Sequence, residues 1–187
     1  MILLRTPRLV LRNWEERDRS LFHRINSDEQ VMEFFPFRRD RATSDAVMDR
    51  MRADIEAQGY GWTAVEVLET GECAGFVGLR PIEVDGIGGP GAHEIGWRLA
   101  PEFWGKGYVT EAASGLLDFA FTRLGLDAVL SFAVSNNERS IAVMRRLGMK
   151  RRGEFDHPGV PDTHPELKHH HLYAMTSHAW RERATPA

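Results

Sequence analysis

Two periodicities alternate along this chain. From Val109 onward, apolar residues recur at Val109, Ala112, Ala113, Leu116, Leu117, Ala120 and Leu124. They form one stripe at helical spacing, with Thr110, Glu111, Ser114, Asp118 and Arg123 on the other side. Just upstream, His93, Ile95, Trp97 and Leu99 alternate with Glu94, Gly96 and Arg98, the period of a strand. Downstream, residues 127–134 (DAVLSFAV) are nearly all apolar and include β-branched side chains, which predicts a strand buried on both faces. Between the first strand and the helix stand Gly105 and Gly107. The order strand, glycine turn, helix, strand predicts two parallel strands joined by a right-handed crossover.

The same reading covers the rest. Residues 3–14 alternate around Leu9 and Leu11 and predict one strand; 18–26 and 29–35 predict helices, the second broken by Pro36. Residues 43–58 predict an amphipathic helix with Val47, Met51 and Ile55 on one face and Gly59 as its stop. Two strands follow, 61–68 and 73–82, joined by the turn Glu69-Thr70-Gly71-Glu72. Residues 83–91, rich in Gly and Pro, predict a mobile loop. Ser135-x-x-Glu138 has the spacing of a capping box, and Gly148 is placed to end the helix it opens. A strand ends at Asp156 and His157, and another runs through LYAMT. No repeat or linker interrupts residues 1–187, so one domain is expected.

Composition narrows the class. The chain has 187 residues, 42% hydrophobic and 27% charged, enough for one sizeable core. A net charge of −3 argues against nucleic acid or an anionic membrane as main partner. Cys73 is the sole cysteine, so no internal disulfide forms; within its apolar run it reads as a core thiol rather than a nucleophile. The longest apolar stretches are strand-sized and the N-terminus lacks a signal-peptide pattern, which predicts a cytoplasmic protein.

The glycine turn carries candidate chemistry. The first turn of a helix leaves N–H groups without partners and a partial positive charge. Glycines let a phosphate reach that backbone, and Lys106 could add a counter-charge. Neither common phosphate motif is present: Thr110 takes the third glycine position of G-x-G-x-x-G, and Gly107 follows Lys106 where a P-loop needs Ser or Thr. A plain tight turn remains the alternative.

WGKGYVTEA resembles the acetyl-CoA pyrophosphate loop of the GNAT family of N-acetyltransferases, in the branch that includes ribosomal-protein N-terminal acetyltransferases. The family loop reads Gln/Arg-x-x-Gly-x-Gly/Ala; on this chain those positions are Trp104, Gly107 and Val109, and only the glycine matches strictly. The opening also resembles that branch, at Leu4, Thr6, Arg8, Leu9, Leu11 and Arg12. Asn137-x-x-Ser140 followed by Leu147-Gly148-Met149 is similar to its second acetyl-CoA motif. The resemblance implies a single-domain α/β fold: a mixed, mostly antiparallel, twisted sheet with helices on both faces, splayed at the acetyl-CoA site. It also implies cofactor contacts from Leu99, Trp104, Gly105, Lys106, Gly107, Tyr108, Val109 and Thr110, with Asn137 on the pantetheine arm and Ser140 near the thioester. Asn137 as a mere helix cap is the alternative.

Acetyl transfer to an amine needs a base, since a protonated amine is no nucleophile. Glu94 is the first candidate, in a strand that runs beside the cofactor in the family; an ion pair or an outward-facing carboxylate is the alternative. Asp156 and His157 lie near where related enzymes carry a catalytic acid. Many relatives place a thiolate-protonating tyrosine where this chain has Met144, which leaves Ser140 as the candidate stabiliser of the thiolate. His169, His170 and His171 alternate faces on a strand and cannot close on one metal, so no metal is expected. Met32, Phe34, Phe35 and Phe37 read as core; Arg38 and Arg39 read as a solvated face, with an acidic acceptor as the alternative. The resemblance thus implies direct acetyl transfer from acetyl-CoA to a primary amine, first a protein or peptide N-terminus. The alternatives are a small amine, aminoglycoside or polyamine-like, and a non-catalytic acyl-CoA-binding protein; a homodimer is an open assembly state.

Overall fold

The computed structural model describes residues 1–84 and 86–184. The strands are β1 (Ile2–Arg5), β2 (Leu9–Arg12), β3 (Trp62–Val67), β4 (Cys73–Pro81), β5 (His93–Leu99), β6 (Ala128–Val134), β7 (Lys150–Asp156) and β8 (His169–Thr176). The helices are α1 (Arg19–Ser27), α2 (Arg41–Gln58), α3 (Tyr108–Thr122), α4 (Glu138–Arg146) and α5 (Ser177–Ala184). The strand order is β1-β2-β3-β4-β5-β6-β8-β7. The β5–β6 pair is parallel, as the crossover predicts, and β1–β2, β2–β3, β3–β4, β6–β8 and β7–β8 are antiparallel. The mixed, mostly antiparallel sheet is therefore the α/β fold that the sequence resemblance implies.

Contacts group the residues into two compact units: Met1–Gly78 with Trp97–Gly115, and Leu79–Gly96 with the chain from Leu116 onward. In the first unit, residues 3–14 are a hairpin rather than one strand. Leu4 pairs with Leu11 and Arg5 with Val10, around a turn closed by Thr6 N–H on the Leu9 carbonyl at 2.9 Å. Pro7 explains the break, because it cannot donate to a ladder. Buried Arg12 at the hairpin's end holds Asp18 at 2.7 Å and Glu66 at 2.8 Å. Burial opposes its charge, yet the two carboxylates win and its pKa is raised. Trp14 and Phe22 pack edge to face at 4.8 Å, with Phe76 against both.

The expected helix over 29–35 does not form. Asp28 Oδ1 accepts from the N–H groups of Gln30 and Val31, each at 2.9 Å, and diverts the chain into turns. Of Met32, Phe34, Phe35 and Phe37, assigned to the core there, only Met32 is fully buried, and Phe37 is 40% exposed. The helix over 43–58 starts slightly earlier, as α2, and ends on Gly59 at φ 82°. In β4, Gly75 has φ 136°, and a Cβ there would lie 2.3 Å from the Arg98 carbonyl oxygen, so the β4–β5 approach requires glycine.

The second unit packs Leu116, Leu117 and Ala120 of α3, Val129 of β6, and Ile141, Met144 and Leu147, all essentially without exposure. Here β6 departs from the expected double burial. Val129, Ser131 and Ala133 are buried, whereas Ala128, Leu130 and Phe132 are half-buried. Helix α4 is capped by Asn137, whose side chain accepts from Ser140 N–H at 3.2 Å; the Ser135–Glu138 capping box does not form. Gly148 ends it at φ 78°, with buried Met149 following. Position 85, inside the expected loop over 83–91, lies outside the described residues. No described helix is long and apolar enough to cross a membrane.

Candidate active site

The glycine turn of the first unit is built for backbone donation. Gly105 and Gly107 have φ 73° and 77°, the left-handed region open to glycine. An added Cβ at Gly105 would meet nothing within 4 Å, and one at Gly107 only Arg8 Nη2 at 3.5 Å, so the side-chain space is open to a ligand. The N–H groups from Gly105 to Thr110 make no hydrogen bond among the described residues; the first N–H of α3 with a partner is that of Glu111, on the Gly107 carbonyl. Six consecutive donors at a helix N-terminus are an arrangement that could cradle an anion.

Side chains hold this cradle in shape. Arg8 Nη1 donates to the Lys106 carbonyl at 3.0 Å, its Nε to Glu111 Oε2 at 2.6 Å and its N–H to Glu111 Oε1 at 2.9 Å. Thr6 Oγ1 donates to the same Oε1 at 2.6 Å, and the Arg8 guanidinium lies 4.9 Å from the Tyr108 ring centroid. Trp104 Nε1 donates to the Leu99 carbonyl at 2.8 Å. The indole of Trp104 is thus a strut from the turn to the end of β5. Half-exposed Val109 and Thr110 open α3, and Lys106 lies exposed with its Nζ 5.4 Å from the Phe103 ring. The buttress Thr6–Arg8–Glu111 was not anticipated as such; its signal was the Thr-x-Arg of the N-terminal motif.

In the second unit, Glu94 is 7% exposed and accepts from Arg80 Nε at 2.8 Å. Burial raises its pKa, and the Arg80 charge and hydrogen bond only partly offset that. Glu94 is thus ion-paired, as the alternative reading held, with its pKa raised from the ordinary carboxylate value. The β5–β6 ladder around it is short. His93 pairs with Val129 and Glu94 with Leu130, and among the described residues the pairing goes no further.

Glu94 shares a sheet face with Leu130 and, by strand alternation, with Phe132. The Phe132 ring lies 5.7 Å from His157 and 6.1 Å from His170; Phe155, 6.0 Å from His157, completes that cluster. Burial lowers the pKa of both His157 and His170, which keeps them neutral. Gly159 N–H donates to His157 Nδ1 at 3.0 Å. Asp156 parts company with its neighbour: it is exposed and hydrogen-bonds His169 Nδ1 at 3.2 Å.

Asn137 Oδ1 accepts one N–H in the cap, so its side-chain N–H groups and the second lone pair of that oxygen are what it could offer a pantetheine amide. Ser140 is half-buried in the first turn of α4, and Met144 is fully buried one turn on, so Met144 belongs to the core. His169 and His171 share a face, opposite His170, and their ring nitrogens lie within 4.8 Å of a Glu154 oxygen and of each other. Arg151 already holds Glu154 at 2.5 Å. Cys73 makes a contact to the Gly75 carbonyl, and burial pushes its thiol up to about 12, which removes it as a nucleophile. A cavity of 310 Å³ lined by Arg24, Cys73, Glu102 and Phe103 contains none of the candidate catalytic residues.

A protein-family profile described as "Acetyltransferase (GNAT) domain" matches residues 8–150. "Uncharacterized N-acetyltransferase p20" of Bacillus licheniformis is 30% identical over 156 residues, 82% of this chain and 85% of that protein. Spermidine N(1)-acetyltransferase of Escherichia coli is 29% identical over 147 residues, 79% of this chain and 75% of that one. The crystal structure of a GNAT-family acetyltransferase from Bacillus anthracis superposes with a TM-score of 0.79 at 23% identity, covering 95% of this chain and 99% of that one.

Proposed function

Since the chain belongs to the GNAT acetyltransferase family, we propose that it transfers the acetyl group of acetyl-CoA to a primary amine by direct attack, first of all to a protein or peptide N-terminus. The run of unpaired N–H groups from Gly105 to Thr110 carries the cofactor assignment. It offers a pyrophosphate a set of donors at the positive end of α3 without any Cβ in the way. Tyr108, Val109 and Thr110 would supply backbone, and Lys106 and Arg8 positive charge. Asn137 and Ser140, in the first turn of α4, are the residues that would meet pantetheine and thioester.

Acetyl-CoA supplies an acyl carbon already activated as a thioester. The chain's own residues handle the protons. Glu94, with its raised pKa, accepts a proton from the acceptor ammonium, so that the free amine can attack. As the N–C bond formed and the C–S bond broke, the nitrogen would shed its second proton and the leaving thiolate would take one up as coenzyme A thiol, with the Ser140 hydroxyl standing in for the tyrosine whose position Met144 fills. Neutral His157 is the second candidate for moving the amine proton.

The acceptor divides the relatives by name. "Putative ribosomal N-acetyltransferase YdaF" of Bacillus subtilis is 28% identical over 159 residues, which favours a protein N-terminus. The spermidine enzyme favours a small amine instead. Calorimetric titration with acetyl-CoA tests the first half of the proposal: micromolar binding, about −8 kcal/mol, is the expected result. No binding at millimolar ligand would reduce the glycine loop to a turn. Transfer assays on seryl peptides and on spermidine test the second half.

A further inference from the structure

We propose that Arg98 and Arg39 form an anion-recognition site which selects acceptor amines that carry a carboxylate. This rests on the acetyl-transfer reading and narrows its substrate. Arg98 Nη1 donates to Asn26 Oδ1 at 2.6 Å, and Arg39 Nη1 donates to the same oxygen at 3.1 Å. Asn26 is 1% exposed, and its side-chain N–H donates to the Phe22 carbonyl at 2.7 Å, which fixes the amide with its oxygen toward the two guanidinium groups. The Arg98 guanidinium lies 4.2 Å from the Phe35 ring centroid and 5.3 Å from that of Phe76. That of Arg39 lies 4.3 Å from the Phe37 ring. Arg98 Nε is buried without a hydrogen-bond partner.

Two cations therefore share one neutral oxygen, and no carboxylate among the described residues pairs with either. The same unit shows the usual arrangement at Arg12, a buried arginine held by two carboxylates. An uncompensated buried charge is unfavourable unless something brings the counter-charge. Burial depresses both arginines, Arg98 down to about 9 with the Arg39 charge adding to the effect, and Arg39 with the Arg50 charge adding to it. Planar guanidinium groups with free N–H edges match a carboxylate, which accepts two parallel hydrogen bonds. A polyamine brings charge of the wrong sign. The sequence-level expectation of a solvated face fails for Arg39, and the acidic-acceptor alternative takes its place with Arg98 as the principal residue.

The test compares matched acceptors on the full chain: Ser-Asp-Ala against Ser-Asn-Ala, both amidated, and β-alanine against β-alaninamide, with spermidine alongside. Wild type is expected to show kcat/KM at least tenfold higher for the carboxylate member of a pair and to use spermidine worst. The peptide pair and the small-amine pair separate the two sources of the carboxylate. In Arg98→Met and in Arg39→Gln the advantage is expected to shrink below twofold; Arg39→Gln, at a half-buried position, serves if Arg98→Met does not fold. Equal rates within both pairs in wild type, or a preference that survives in Arg39→Gln, overturns the proposal. A readout without catalysis separates it from the acetyl-transfer reading: succinate, and not succinamide, is expected to bind wild type by calorimetry and not Arg39→Gln. If no amine is acetylated but succinate binds in this way, the acetyl-transfer reading fails and the anion site stands. If amines are acetylated and succinate binds both proteins equally or neither, the anion site fails.

Discussion

Arg8 grips both oxygens of Glu111, with its Nε 2.6 Å from Oε2 and its backbone N–H 2.9 Å from Oε1, and from that grip it reaches on to the Lys106 carbonyl. The N-terminal hairpin is thereby tied to the first turn of α3. Burial raises the Glu111 pKa, but the hydrogen bonds from Thr6 and Arg8 outweigh it, so the carboxylate is charged at neutral pH. Glu111→Ala should loosen the cradle without touching the chemistry. The expected result is a KM for acetyl-CoA raised about tenfold, near 1.4 kcal/mol, with kcat changed less than threefold. Steady-state kinetics at saturating acceptor reads it directly, and an unchanged KM would show that the loop holds its shape unaided.

Gly107→Val probes the cradle itself. A β-branched residue at φ 77° is strained by about 1–3 kcal/mol, and its side chain enters the space that phosphate oxygens need. Acetyl-CoA affinity should fall a hundredfold or more by calorimetry. Gly105→Ala, where nothing lies within 4 Å, should fall less.

The pH profile tests the base. Glu94 must be deprotonated to act, and burial raises its pKa, so the acid limb of kcat/KM should lie above the ordinary carboxylate range. Removing the nearby positive charge, in Arg80→Gln, takes away the influence that lowers that pKa; the limb should move to higher pH. Glu94→Gln should lose the limb and at least a hundredfold in rate. Full turnover in Glu94→Gln would assign the base elsewhere, with His157 next.

Stability should fall on acidification through the histidine cluster. His157 and His170 have pKa values lowered by burial from an ordinary 6.5, so folding favours their neutral forms. Their contribution is fully present above about 6.5 and is lost as pH falls through their folded values. The thermal midpoint of wild type should therefore drop between pH 7 and pH 5. His170→Phe, which keeps a ring against Phe155 and Phe132, should flatten that slope.

Asp18→Asn removes one partner of the buried Arg12 and should destabilise the chain by about 3–5 kcal/mol. Chemical denaturation measures it. Glu16→Gln, at an exposed carboxylate paired with Arg19 and Arg52, should change stability far less, because exposed ion pairs contribute little.

How far the sequence reveals this molecule depends on the range of the interaction involved. The strand–turn–helix–strand around Gly105 and Gly107 was legible because each element is set by its own periodicity and by two left-handed glycines. The segment over 29–35 was not, since one side chain, Asp28, decides between turn and helix by taking two N–H groups. Glu94 could be placed on its strand, but its ion pair with Arg80 and its burial are tertiary facts. Arg98 reads as the polar face of a strand; only the fold brings it to Asn26, 72 residues earlier. Asp156 and His157 are adjacent in sequence and opposite in surroundings, a distinction that strand alternation permits but does not interpret.

The protonation of Cys73 has a practical corollary. A thiol whose pKa burial raises stays protonated at pH 7, and the chain contains no other sulfhydryl. A disulfide dye that colours on meeting free thiol should therefore report coenzyme A released at turnover over a low protein background, which a blank without acetyl-CoA measures for every variant named above.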